Sequence, residues 1–339
     1  MNSILLKRNP FWDSLKVLLI FTVVYGHVIE TCVENSRFNQ AMYNTIYLFH
    51  MPLFVFVSGF FSHMKDRKKY LLRICEIFET YLIFQFIRCM KPIFTDGNVS
   101  LFPNILFPKG ILWYLACLLL WRTIIVLFKE QWLTRHKKSV LVFFFVSGLG
   151  IGFISIDGAL SRFFILGIFF FLGYYFNEQY ISSYLRKIPL WLGLLSILCL
   201  FIFVYLKINT DIRGIIHFEN YYCKPPNSPI IFLLARLCLY IFALIFGCLV
   251  MRLVLAKQLF AFWGNCTLAI FMIHTTIIIP LRPLFTNNIL PNNAFLLFVY
   301  AVIIWSTLAW MTCHFKIISI ILNPISYILR MSRVKKQAI

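Results

Sequence analysis

The chain has 339 residues, 61% of them hydrophobic and only 13% charged, with a net charge of +20 and a mean hydropathy of +0.83. A soluble domain is nearer about 45–50% apolar and about 25% charged, so the length does not describe two soluble domains. The basic balance does not point to nucleic acid either, because the cations sit in short stretches between apolar runs, as in a membrane protein oriented by its Lys and Arg.

Apolar runs long enough to cross a bilayer, about 20 residues each, recur along the chain. They predict an all-α, polytopic integral membrane protein with about ten transmembrane helices, over 12–33, 42–62, 74–94, 110–128, 139–157, 158–176, 188–206, 229–251, 259–280 and 294–315. All ten belong to a single membrane-embedded domain spanning 1–339. The stretches 1–8, 63–73, 129–138, 177–187, 252–257 and 316–339 hold 20 Lys or Arg, against 6 in 34–41, 95–109, 207–228 and 281–293. That asymmetry predicts that both termini are cytoplasmic. Lys7 and Arg8 precede the first run, but Asp13 and Lys16 interrupt it and no small-residue cleavage site follows, so a retained span is expected. Between the fifth and sixth spans only Ser155 to Ser161, around Asp157-Gly158, offers a turn.

The first span carries Lys16-x10-His27. Eleven residues at about 100° each come within roughly 20° of three full turns, so both side chains share a face, about 16 Å apart along the axis. Ionisable groups inside a span are costly and mark function. Glu30, one turn beyond His27, is placed to orient it or tune its charge, or simply to face water at the interface. Lys16 is equally placed to pair with Asp13.

The predicted topology puts His27, His50 and His274, with Arg88, Arg162 and Arg236, in the outer halves of their spans. Singly, each histidine reads as a hydrogen bond to a neighbouring helix; together they predict a wet cavity opening outward. Arg73 and the run Lys65-Asp66-Arg67-Lys68-Lys69 lie at the inner face, where topology and anionic lipid explain cations as well as a phosphate ligand does. The outer stretch Lys207–Ser228, with Asp211, Arg213, His217, Glu219 and Tyr221, suits either a sugar or plain solvent. The tail from Phe315 to Arg330 is expected along the inner surface. The ten cysteines form no metal-ligand spacing. They read as small apolar residues, with Cys32 and Cys223 open to a disulfide. No phosphate loop, dinucleotide fingerprint or His-x4-Asp is present.

Five blocks, in order, resemble membrane-bound acyltransferase family 3, and within it the fucose 4-O-acetylase-like members. They are Asp13 to His27; Phe49-His50-Met51-Pro52 to Phe61; Leu112-Trp113-Tyr114-Leu115; Arg162 with Phe171-Leu172-Gly173-Tyr174; and Phe262-Trp263-Gly264-Asn265 to His274. The chain departs from the family pattern on the third span, where Glu76 follows Arg73 in place of a second basic residue and Thr80 precedes Tyr81 in place of proline. Val17 stands beside Lys16 where glycine is usual.

The resemblance implies an O-acetyltransferase that moves an acetyl group from acetyl-CoA to a hydroxyl of a surface glycan or its lipid-linked precursor, in a bacterial inner membrane. His27 is then base or acyl relay, with Lys16 also catalytic. Lys16 and Arg73 hold the donor, and His50, Arg162, His274, Trp113 and Glu30 line the acceptor pocket. No metal is implied. The competing class is a transporter or exporter of a glycan or small molecule, which also uses buried charge.

Overall fold

The computed structural model describes residues 9–96, 107–108, 110–154, 158–207, 229–287, 289–315, 320, 322 and 324. The outer stretch 208–228, with Cys223, lies outside the described residues, as do Asp157, Lys7, Arg8 and nearly all of the tail beyond Phe315. The described residues are overwhelmingly helical, with no strand among them. The helices are α1 (Pro10–Ile29), α2 (Arg37–Phe60), α3 (Arg67–Asp96), α4 (Trp113–Phe128), α5 (Glu130–Arg135), α6 (Lys137–Gly150), α7 (Ala159–Tyr174), α8 (Glu178–Lys187), α9 (Leu190–Lys207), α10 (Pro229–Ala256), α11 (Thr267–Thr286) and α12 (Ala294–His314).

Seven helical segments are long and apolar enough to cross a membrane: Pro10–Glu34, Arg37–Phe60, Gly110–Phe128, Leu190–Lys207, Pro229–Ala256, Thr267–Thr286 and Ala294–His314. The count reaches eight if α7 and α8 form one broken span. The other expected spans are also helical, but α3 carries Glu76, Glu79 and Arg88 among its apolar residues, and α6 has only 14 residues. Gly158 takes φ 83° just before α7, a left-handed turn where an L side chain is strained.

The chain divides into two compact units: 1–57 with 176–217 and 237–314, and 58–175 with 218–236 and 315–339. In the first, α1 packs against α11, α12 and a 3-10 turn, Ala261–Asn265. Asn9 caps α1 by accepting the Phe11 amide, and Pro10 occupies the first turn, where its missing N–H loses nothing. The Trp12 indole and the Asn9 amide both donate to Glu178 on α8. Burial orders the helices: α2 is mostly buried, whereas α9 is mostly exposed. The α9 surface, with Leu194, Leu198 and Phe203 exposed, suits lipid contact. In the second unit, α7 packs against α6 and α4, and α3 against α4. A Cβ on Gly59 would stand 1.9 Å from the Phe170 carbonyl oxygen, so α2 and α7 touch there backbone to backbone.

Two expectations need correction. The ninth span was placed at 259–280, but the helix runs from Thr267 to Thr286, through Pro280 and Pro283; the preceding Phe-Trp-Gly block is instead the 3-10 turn. Cys266 and Cys313 are not simply small apolar residues, for they are joined as a disulfide that ties the start of α11 to the end of α12. Cys32 is a free, buried thiol.

Candidate active site

His27 sits near the end of α1, before the backbone tightens into the 3-10 turn Glu30–Asn35. That turn brings Glu30 back along the helix, and its Oε2 lies 3.0 Å from His27 Nδ1. The same oxygen accepts from Arg282 Nη2 at 2.8 Å. A carboxylate paired with Arg282 can only accept, so this contact suits the His27 tautomer that carries its proton on Nδ1. A neutral imidazole protonated on Nδ1 presents Nε2 as a base. All three side chains are partly exposed, at 21%, 26% and 40% for His27, Glu30 and Arg282.

The His274 ring centroid lies 5.1 Å from that of His27. His274 is fully buried, and its Nδ1 faces the Ile270 carbonyl at 3.2 Å. His50 repeats this device, with Nδ1 2.8 Å from the Ile46 carbonyl. In each, a donated Nδ1–H fixes the ring and makes Nε2 the acceptor nitrogen. His50 meets Tyr47 edge-on at 4.6 Å, and Tyr47 is hydrogen-bonded to and stacked on Tyr43. Gly26 lets Tyr47 in: a Cβ there would stand 2.9 Å from the Tyr47 ring. The neighbour of His27 in sequence is thus the contact that docks the His50–Tyr47 pair.

The structure therefore gathers His27, Glu30, His274 and His50 in the first unit. Lys16 is on the same helix as His27 but pairs with Asp13 at 2.7 Å, and Asp13 is in turn held where only a glycine, Gly264, fits against it. Arg162 and Trp113 come together in the second unit, with the guanidinium 4.5 Å from the indole centroid. Arg236 donates to the Gly148 carbonyl, and Arg88 lies against Gly110, whose φ of 54° suits glycine. Arg73 is exposed on α3.

Sequence reasoning missed Arg282, Tyr43 and Tyr47. Arg282 had been counted as a loop cation past the end of its span. Two tyrosines spaced four apart, ahead of His50, were a readable signal for one helix face.

A family described as an acyltransferase domain, acyltransferase family 3, matches residues 9–314. A 58-residue stretch is 34% identical to nodulation protein NolL of Sinorhizobium fredii, and covers 16% of this chain and 16% of that protein. No solved structure matches. With nearly its whole length matched, this multi-pass membrane chain belongs to acyltransferase family 3.

Proposed function

We propose that the protein is an O-acetyltransferase that carries an acetyl group from acetyl-CoA to a sugar hydroxyl of a surface glycan or its lipid-linked precursor. The observation that carries this reading is the His27–Glu30–Arg282 network, with one imidazole nitrogen oriented and the other presented. His27 Nε2 removes the proton as the acceptor oxygen attacks the thioester carbonyl. The C–S bond breaks, and the departing CoA thiolate takes the proton back from the imidazolium. Glu30 holds the ring and balances its transient charge, as an orienting carboxylate does for other activated nucleophiles. Arg282 keeps Glu30 from becoming the proton acceptor.

His274 and His50 recognise the acceptor in the first unit; the Arg162–Trp113 pair, in the second, is separately suited to a sugar. Flat aromatic and imidazole surfaces suit a sugar ring, and fixed acceptor nitrogens suit its hydroxyls. Lys16 and Arg73 serve the donor. Ten spans in a cell membrane, with both termini cytoplasmic, are the topology that the asymmetry of Lys and Arg supports.

The test is label transfer. Membranes containing the protein are given acetyl-labelled acetyl-CoA and a glycan acceptor, and base-labile label is measured in the glycan. Label with wild type that vanishes in a folded His27→Ala variant is the expected result. Label that persists in the variant removes His27 from the reaction path.

A further inference from the structure

The second unit carries a polar cluster that the acyl-transfer site does not use. It gathers where α2 stops at Phe60, α3 starts at Arg67, α4 stops at Phe128 and α7 stops at Tyr174. Arg122, on α4, donates Nε to Ser62 Oγ at 3.2 Å and lies 6.0 Å from the Tyr70 ring centroid. Ser62 passes its own proton to the Ser58 carbonyl. Among the described residues no carboxylate pairs with Arg122, and its remaining guanidinium donors are uncommitted. The cation that acts on it electrostatically is Arg73, which repels it. Arg73 also lacks a carboxylate partner among the described residues.

Two phenols complete the cluster. Tyr70 and Tyr174 are 4% and 1% exposed, and the hydroxyl of each is buried with no hydrogen-bond partner among the described residues. The two are close enough to act on each other electrostatically. His63 stacks on Tyr174 at 4.5 Å, and its Nδ1 faces Glu130 Oε1 at 3.3 Å, so Glu130 is engaged there while its charge also acts on both phenols. Beside Glu130 the backbone is strained: Lys129 takes φ 54° and ψ 146°, a region essentially reserved for glycine. An open groove lined by Lys129, Gln131, Thr134 and Arg135 starts at the same carboxylate.

A buried hydroxyl without a partner is expensive to keep, and a cation without an anion in an apolar fold is more so. Both defects disappear together if one ligand is present. The cluster is rich in donors: the guanidinium edge and two O–H groups, which can also accept. Its ligand is therefore an acceptor-rich anion, and the planar Arg fork with flanking hydroxyls matches a phosphoryl group. The cluster adjoins 63–73 and 129–138, the two stretches richest in Lys and Arg between spans, so it faces the side read as cytoplasmic.

We propose that Arg122, Tyr70 and Tyr174 form a binding site for a phosphoryl group, and that the group belongs to the acyl donor. The second clause rests on the acetyl-CoA reading above; the first does not. Tyr→Phe substitution separates a ligand role from a structural one. Removing an unpartnered buried hydroxyl leaves the fold as stable or more stable, whereas removing one that binds phosphate weakens only the ligand.

The experiment uses the full chain in lipid nanodiscs, as wild type, Tyr70→Phe, Tyr174→Phe and Arg122→Gln. Melting temperature is measured, together with binding of CoA, of inorganic pyrophosphate, and of phosphatidylglycerol in a phosphatidylcholine background. The expected result is unchanged or higher melting temperature for both phenylalanine variants, with CoA and pyrophosphate affinity reduced roughly tenfold in each and more in Arg122→Gln. Weakening confined to phosphatidylglycerol keeps the phosphoryl site and overturns the donor as its source. Affinities unchanged in all three variants, or a wild type that binds none of the probes, overturn the site. Wild-type acetyl transfer with unaltered CoA affinity in the variants sinks this inference alone. Wild-type pyrophosphate binding without any transfer sinks the functional reading, and the donor clause with it, while the phosphoryl site stands.

Discussion

The first unit and the second handle charge in opposite ways. Around His27 the ionised groups come matched: Lys16 with Asp13, and Arg282 with Glu30. Around Arg122 they do not, since two arginines gather beside two unpartnered phenols and the nearby carboxylate is held by His63. A matched network is what acid–base chemistry requires, because it holds a tautomer in place before the substrate arrives. An unmatched cationic cluster is what binding requires, because the ligand itself completes it. On the proposed readings, the matched network around His27 serves proton transfer and the unmatched cluster around Arg122 serves to hold an anion.

Steady-state kinetics tests that division most sharply. His27→Ala is expected to lower kcat on the order of 10²–10⁴-fold with little change in the donor KM, while Arg122→Gln raises the donor KM and leaves kcat nearly intact. Equal losses of kcat in both variants would erase the distinction. Glu30→Gln comes next. It preserves shape but loses the charge that holds the imidazole and faces Arg282, and transfer should fall roughly 10–100-fold, as for one charged hydrogen bond. Pairing it with Arg282→Gln should recover part of the lost melting temperature, because the double variant leaves no bare charge.

Gly59→Ala tests packing instead of chemistry. With the Phe170 carbonyl 1.9 Å from the new methyl group, the helices must part, and about 1–3 kcal/mol of stability should be lost in a thermal melt. The smallest effect is alkaline. Burial pushes the Tyr70 phenol up from 10.0 to about 12, with Arg122 pulling it down and Glu130 pushing it up. The folded state holds this proton more tightly than the unfolded chain does, so stability should decline as pH rises from 10.0 towards about 12. Tyr70→Phe should flatten that part of a melting-temperature profile against pH.

Much of the first site was legible because its residues are close in sequence. His27 and Glu30 lie one turn apart, and a histidine inside an apolar run is visible without coordinates. His50 and His274 stood out for the same reason. Arg282 did not, because Pro280 and Pro283 read as the end of a span, whereas the helix continues through both to Thr286. The 3-10 turn at Ala261–Asn265 hid the true start of that helix, since Phe262 and Trp263 are as apolar as a span. The second site was less legible. Tyr70, Arg122 and Tyr174 are about fifty residues apart from one to the next, and nothing in their own surroundings marks them. Only the packing of α3, α4 and α7 supplies the missing fact, which is that two of them lack partners. The Cys266–Cys313 bond was unreadable in the same way, because spacing along the chain does not say which thiols meet.

The two prolines of α11 have one more consequence. Proline has no N–H to give to the carbonyl four residues back, so Pro280 and Pro283 deprive the Thr276 and Ile279 carbonyls of their ordinary helical donor. Within a membrane such oxygens are tolerated where water or another polar group reaches them. Both fall between His274 and Arg282, on the helix that flanks the proposed base. The turn between them is therefore a polar stretch of backbone inside an apolar helix, two free acceptors on the path from His274 to Arg282.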